Sequence, residues 1–324
     1  MKMEIKGYTY GYHTVRGKYR TPNAQYSQDR LFDLGVNYIC LAFPIMQKTY
    51  SSTEILFDYR RDVTEKDLRF VIEKAHAKGI KVCLKPMINC EDHVWRARID
   101  FPDENFYGTE DYWKEWFDHY TAFMLHYAEF AQDMNCEMLC IGCEMLGTER
   151  KETYWRELIK QVREVYHGPV TYNTNHGQED QVAWFDALDY IGTSAYYKVG
   201  KTPLDSAENM VAEWEKVRTN LSALSLKLGK KIIFMEIGCR SAEGCAMMPW
   251  DFMHRDLPRS EEEQARFYDS CMQVFGKEEW FAGVFWWDWS TEIYETQEEA
   301  DIDRGFNIHR KQAETILKGW YEKL

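Results

Sequence analysis

TEKDLRFVIEKAHAKGIKVCLKPMI, residues 64–88, reads as one helix running straight into one strand. Thr64 and Asp67 have the spacing of a capping box, in which each side chain satisfies a backbone N–H left open at a helix start. An amphipathic run follows, and Gly79 closes it, as glycine does where a helix end needs a left-handed residue. The remainder, IKVCLKPMI (80–88), is short and apolar enough for a strand buried on both faces.

The same alternation continues in both directions. Strand-like runs are TYGYH (9–13), YICLAFPI (38–45), MLCIGCEM (138–145), VTYNTN (170–175), YIGTSAYY (190–197), KIIFMEIGC (231–239) and FAGVFWWDWS (281–290). Helical runs separate them: SQDRLFDLG (27–35), the long 111–134, 151–166, VAWFDAL (182–188), 206–229 and 259–276, with 314–324 closing the chain. Eight strands, each followed by a helix, predict a single (β/α)8 barrel over residues 1–324. A length of 324 residues suits that fold, which takes roughly 250 and more with insertions. No linker, fixed-period repeat or low-complexity segment interrupts it.

Composition excludes several functions. A net charge of −13 argues against nucleic acid or an anionic membrane, which want a basic face. No apolar run approaches the ~20 residues of a membrane span. The opening MKMEIKGYTYGYHT lacks the apolar segment of a secretion signal, so a cytoplasmic location is expected. The nine cysteines are odd in number and scattered, as suits free thiols in a reducing compartment. Cys136, Cys140 and Cys143 lack the spacing of a zinc site, and alternation along a strand would point Cys140 and Cys143 to opposite faces. No metal or other cofactor is expected. Aromatic residues reach 15%, with 12 Trp and 21 Tyr, which fits a large core or a groove that holds sugars by their apolar faces.

In such a barrel the chemistry sits at the carboxyl ends of the strands. The long loops 46–63, 89–109, 240–259 and 290–309 all leave from that end. Residues at the strand ends include His13, Gln47, Lys85, Asn89, Glu144, Asn173, Asn175, Tyr196, Glu236 and Trp287–Asp288–Trp289. Two of them, Glu144 in LCIGCEM and Glu236 in IIFMEIG, are carboxylates inside strongly apolar runs. An unpaired carboxylate buried there costs several kcal/mol, so each is expected to be paired or catalytic. Two carboxylates facing across a cavity form the arrangement that cleaves glycosides: one protonates the leaving oxygen, the other is ionised.

The stretch LKPMIN (84–89), WRARIDF (95–101), WFDHYTAFMLHYAEFA (116–131) and LCIGCEM (139–145) resembles the clan A glycoside hydrolases, and within them family 113, the β-1,4-mannanase-like group. IIFMEIGCRS (232–241) and FWWDWS (285–290) resemble it too, and RGFNIHRKQAETIL (304–317) is similar to the tail of many barrel glycosidases. The resemblance implies a retaining hydrolase of β-1,4-mannosides, as manno-oligosaccharides or mannan, with Glu144 as acid/base and Glu236 as nucleophile; the long loops and the missing secretion signal favour imported manno-oligosaccharides. It implies that Tyr196 orients the nucleophile and that Trp287, with Trp289 nearby, floors the sugar site. Lys85, Asn89 and Arg96 would contact sugar hydroxyls, and Asn173 would join them as a substrate-binding residue. The chain departs from the clan at Cys143, where many members carry Asn, and at Met87 and Asn89, where His and Asp are expected. Those positions line the sugar site, so another β-hexoside is the runner-up substrate. From the residues alone, Lys85 is as readily an ion-pair partner as a sugar contact. A Schiff-base lyase using Lys85 and a non-catalytic sugar-binding barrel are the alternatives from other classes.

Overall fold

The computed structural model describes residues 3–104 and 111–324. Its strands are β1 (Ile5–Tyr10), β2 (Tyr38–Gln47), β3 (Ile55–Leu56), β4 (Lys81–Cys90), β5 (Met138–Cys143), β6 (Val170–Asn175), β7 (Tyr190–Ser194), β8 (Lys231–Ile237) and β9 (Phe281–Trp289). All but β3 run parallel. Neighbours pair in the order β1-β9-β8-β7-β6-β5-β4-β2, and β1 also pairs with β2, which closes the sheet into an eight-stranded barrel. Gly7 marks the seam, facing Tyr38 of β2 and Phe285 of β9. The short β3 lies antiparallel on the end of β2.

The helices form the outer ring: α1 (Pro22–Asp33), α2 (Glu65–Ala77), α3 (Tyr112–Asp133), α4 (Leu146–Glu149), α5 (Glu152–Val165), α6 (Ala207–Leu228), α7 (Glu261–Phe275), α8 (Gln297–Ile302) and α9 (Gln312–Lys323). The capping box of α2 forms with Thr64 and Asp67 as expected, and Ser206 and Ser260 cap α6 and α7. Two elements differ from expectation. VAWFDAL, between β6 and β7, makes only a 3-10 turn, Phe185–Ala187. Its aromatic residues act as anchors: Trp184 is fully buried and donates to the Glu149 carbonyl at 3.0 Å. The first strand begins at Ile5 rather than Thr9, and Gly11, at φ 74°, ends it. Lys6 had hidden the strand's start; its amine reaches the Tyr321 carbonyl at 2.7 Å.

Two layers of core result. The outer layer, between barrel and helices, takes most of the aromatic surplus. Trp116, Trp155, Trp184, Trp214, Trp286 and Trp289 are all fully buried there, with stacks such as Trp155–Trp184 (4.6 Å, 12°) and Tyr268–Trp286 (3.9 Å, 16°). The inner layer fills the barrel with Cys40, Cys83, Cys140, Cys143, Met87, Met138 and Met235 beside Ile5, Ala42, Ile233 and Phe285. Thiols and thioethers serve here as compact apolar filling. Cys140 and Cys143 share this inner face, against the expected alternation, because the pairing of β5 with β6 slips between them. Among the described residues no cluster of three or more His, Cys, Asp or Glu side chains has the makings of a metal site, and no helix is long and apolar enough to cross a membrane.

Candidate active site

Both glutamates enter the barrel mouth through irregular backbone. Glu144 follows the slip in β5 directly and adopts φ 52°, with its N–H on the Asn173 carbonyl at 2.7 Å. Glu236 lies where β8 slips against both neighbours, between Phe234 and Ile237 on the β9 side and opposite Ser194 on the β7 side. Ile233 and Met235 already face the barrel interior, so strict alternation would turn Glu236 outward. The bulge re-aims it, as bulges beside active sites do.

Glu236 is 4% exposed and surrounded by donors. Its Oε1 receives Lys85 Nζ at 2.5 Å, the Cys143 thiol at 3.2 Å and Asn173 Nδ2 at 3.2 Å; among the described residues its Oε2 receives only Tyr196 Oη, at 3.3 Å. Burial alone would push this carboxyl up, but Lys85 and Arg96 outweigh it and hold it below the ordinary carboxylate range. Burial also works against the Lys85 charge, yet the Glu236 carboxylate beside it keeps it well above a normal lysine. Lys85 is fully buried. It is the ion-pair partner of Glu236, and a lysine held charged in this way is poorly suited to Schiff-base chemistry.

Glu144 is 8% exposed and held by one oxygen. Arg96 Nη2 reaches its Oε2 at 2.7 Å and Trp95 Nε1 the same atom at 3.3 Å, while Oε1 accepts no hydrogen bond from a described residue. Arg96 is fixed in turn: Nε donates to the Cys143 carbonyl at 2.9 Å, Nη1 to Asn89 Oδ1 at 3.0 Å and Nη2 to Cys143 Sγ at 3.4 Å. Asn89 Nδ2 donates to Tyr12 Oη at 2.8 Å. Tyr12 packs against Trp287 with ring centroids 4.7 Å apart. One network thus runs from Trp287 through Tyr12, Asn89, Arg96 and Cys143 to both glutamates.

Several expectations change here. Trp289, expected beside Trp287, is fully buried behind the strand, packs on Tyr8 and donates to Ser27 Oγ at 3.0 Å. Arg96 and Asn173 spend their donors on Glu144, Cys143 and Glu236 instead of reaching into open space. The adjacent tyrosines separate: Tyr196 meets Glu236, whereas Tyr197 bonds Glu179. His13 is exposed. Sequence reading missed Tyr12 and Trp95, and gave Asp288 a place at a strand end but no role. Tyr12 was hidden by the misplaced first strand, and Trp95 had one signal, its place beside Arg96 in WRARIDF. Asp288 is pushed up to about 6, by burial that the charge of His13 only partly opposes. Of loop 89–109, residues 105–109 lie outside the described residues. A cavity of about 900 Å3 lies elsewhere, between β3, α2 and α3, and touches neither Glu144 nor Glu236.

Buried, paired carboxylates at a barrel mouth, one ionised among donors and one with a free oxygen, can attack and protonate a substrate held between them. The comparisons place the chain in a family. The family model Glycoside Hydrolase Family 113 matches residues 8–311. A β-1,4-mannanase of that family, solved as a complex, is 34% identical with TM-score 0.90, the match covering 100% of both chains. The β-mannanase AaManA from Alicyclobacillus acidocaldarius, solved with ManMIm, is 35% identical with TM-score 0.90, covering 100% of this chain and 98% of that one. The β-D-glucuronidase of Dictyoglomus thermophilum, 16% identical with TM-score 0.64 over 99% of this chain and 51% of its own, shares the fold alone. No curated protein matches the chain.

Proposed function

The chain belongs to glycoside hydrolase family 113, and we propose that it cleaves β-1,4-linked mannosides, as manno-oligosaccharides or mannan, with retention of anomeric configuration. The observation that carries this reading is the unequal treatment of the two glutamates. Glu236 is kept ionised by Lys85 and oriented by Cys143, Asn173 and Tyr196. Glu144 is anchored by Oε2, and its Oε1 accepts no hydrogen bond from a described residue.

The roles follow from that difference. Oε1 of Glu236 already accepts three donors, so Oε2 is the atom with lone pairs to spare, and it attacks the anomeric carbon. The bond from that carbon to the glycosidic oxygen breaks as Glu144 gives the departing oxygen its proton. The sugar is left as an ester on Glu236. Glu144, now ionised, takes a proton from water as the water oxygen attacks the same carbon from the opposite face to Glu236. The ester bond breaks, and both glutamates return to their starting states. Trp287, half-buried beside Tyr12, floors the site of the sugar being transferred.

Mannose as the sugar rests on the two family members described above, a β-1,4-mannanase and a β-mannanase. The test is a panel of β-1,4-linked oligosaccharides of mannose, glucose and galactose, with products separated by length. Mannotetraose hydrolysed at least tenfold faster than cellotetraose supports the assignment; the reverse order transfers it to glucosides.

A further inference from the structure

Trp95 is the most exposed of the twelve tryptophans, at 48%, yet its indole N–H is spent on Glu144 Oε2. Its backbone is fixed at the start of the 3-10 turn Arg96–Arg98, with the Trp95 carbonyl accepting from Arg98 N–H at 2.8 Å. A large apolar ring held open to solvent at the mouth of an active site, one edge on a carboxylate, has a use for its free face.

We propose that Trp95 seats the leaving-group sugar, the first residue past the cleaved bond, while its N–H positions Glu144 for proton transfer. The inference rests on the functional reading above and adds a binding subsite to it. The argument begins from the proton. Glu144 must come within about 3 Å of the glycosidic oxygen to protonate it, so the departing ring starts at this carboxylate. With Oε2 engaged by Arg96 and Trp95, the proton travels on Oε1. The departing sugar therefore lies next to the group that the indole touches, and a pyranose presents a C–H face that packs on an aromatic ring. The other exposed edge of the site supports the same division. Trp287 lies near the end of β9, the neighbour of β8 and its nucleophile; Trp95 follows β4, the neighbour of β5, which leads into Glu144.

The two parts of the role separate by substitution. Trp95→Phe keeps a ring and removes the N–H; Trp95→Ala removes both. Two substrates read them: mannotetraose, which fills the leaving-group side, and β-mannobiosyl fluoride, whose leaving group is a single atom. Trp95→Ala should raise KM for mannotetraose about tenfold, the scale of one stacking contact, and leave KM for the fluoride unchanged. Trp95→Phe should restore KM for mannotetraose while kcat for that substrate stays several-fold low, because Glu144 loses a positioning bond. Melting curves establish that both variants are folded. Equal losses on the two substrates, no loss on either, or a Phe variant whose KM stays as high as that of Ala would overturn the subsite. A wild-type protein inert on both substrates would overturn the functional reading beneath it, and is told apart because the loss precedes any substitution.

Discussion

Lys85 Nζ lies 2.5 Å from Glu236 Oε1, and neither side chain meets bulk solvent: one is 0% and the other 5% exposed. Two opposite charges are thus stored at the floor of the active site, each buried only because the other is there. Lys85→Met should leave Glu236 buried without its cation. Burial then pushes the carboxyl up, so the acid limb of kcat/KM, expected below the usual carboxylate range in the wild type, should move toward neutrality. Turnover at neutral pH should fall by at least about a hundredfold, the scale of removing one electrostatic partner from an active site. A pH–rate profile checks both; an unmoved acid limb would mean that Lys85 does not hold Glu236 ionised. The linkage to stability has the same sign. A depressed carboxylate adds stability above its unfolded value of about 4.3, and that part is lost as pH falls through the lower folded value.

Cys143 occupies the position where Asn is common in the clan, and its thiol is one of three donors to Glu236 Oε1. Burial pushes this thiol up, so it stays protonated and acts as a donor rather than a nucleophile. Cys143→Ser keeps a donor and Cys143→Ala does not. The Ala variant should lose about two- to tenfold in kcat, the worth of one hydrogen bond from a weak thiol donor, and the Ser variant less. Steady-state kinetics on mannotetraose distinguish them; equal activity in both would remove Cys143 from the positioning of the nucleophile.

Trp287 and Trp289 sit two residues apart and should fail differently. Trp289 is buried and bonded to Ser27, so Trp289→Phe should cost about 1–3 kcal/mol of stability and leave KM near wild type. Trp287→Ala should keep most of the stability and lower kcat/KM by about a hundredfold or more, since it removes the floor against which the reacting sugar is oriented. Thermal melts paired with kinetics test the contrast; a large KM effect from Trp289→Phe would return that residue to the site.

Gly147, in α4, carries a prediction about Arg96. A Cβ there would meet the Ile99 carbonyl oxygen at 2.1 Å, and Ile99 directly follows the turn that holds Arg96. Gly147→Ala must push that turn away from α4, and Arg96 with it. Activity should fall about tenfold or more together with a lower melting temperature, whereas Gly79→Ala, which meets nothing within 4 Å but has φ 71°, should cost stability alone. Unchanged activity in Gly147→Ala would show that Arg96 tolerates displacement.

The barrel was legible in the sequence because its signals are local. The capping box at Thr64, Gly79 at the helix end and the apolar runs each follow from a few neighbouring residues. The two glutamates stood out for a similar reason, as charges inside apolar strands. What could not be read is how they come to face inward. Alternation from Ile233 and Met235 turns Glu236 away from the barrel, and alternation from Cys140 turns Cys143 away from it. The slips in β5 and β8 reverse both outcomes, and they arise from pairing with β6, β7 and β9, which no single segment encodes. Lys85 was legible as a buried cation but not as the partner of Glu236, because the contact spans 151 residues. Trp289 was misjudged because a tryptophan beside a strand end looks the same whether it faces the site or the helices.

The division of labour between the two glutamates is the central claim, and the configuration of a rescued product tests it most directly. Glu236→Ala and Glu144→Ala are each supplied with azide and an activated β-mannobioside whose leaving group needs no protonation, and the anomer of the mannobiosyl azide is assigned by NMR. Without Glu236, azide attacks the substrate directly and the product should have inverted configuration. Without Glu144, the glycosyl-enzyme still forms on Glu236, azide displaces it, and the product should have retained configuration. Retained azide from Glu236→Ala with inverted azide from Glu144→Ala would contradict the assignment and exchange the two roles.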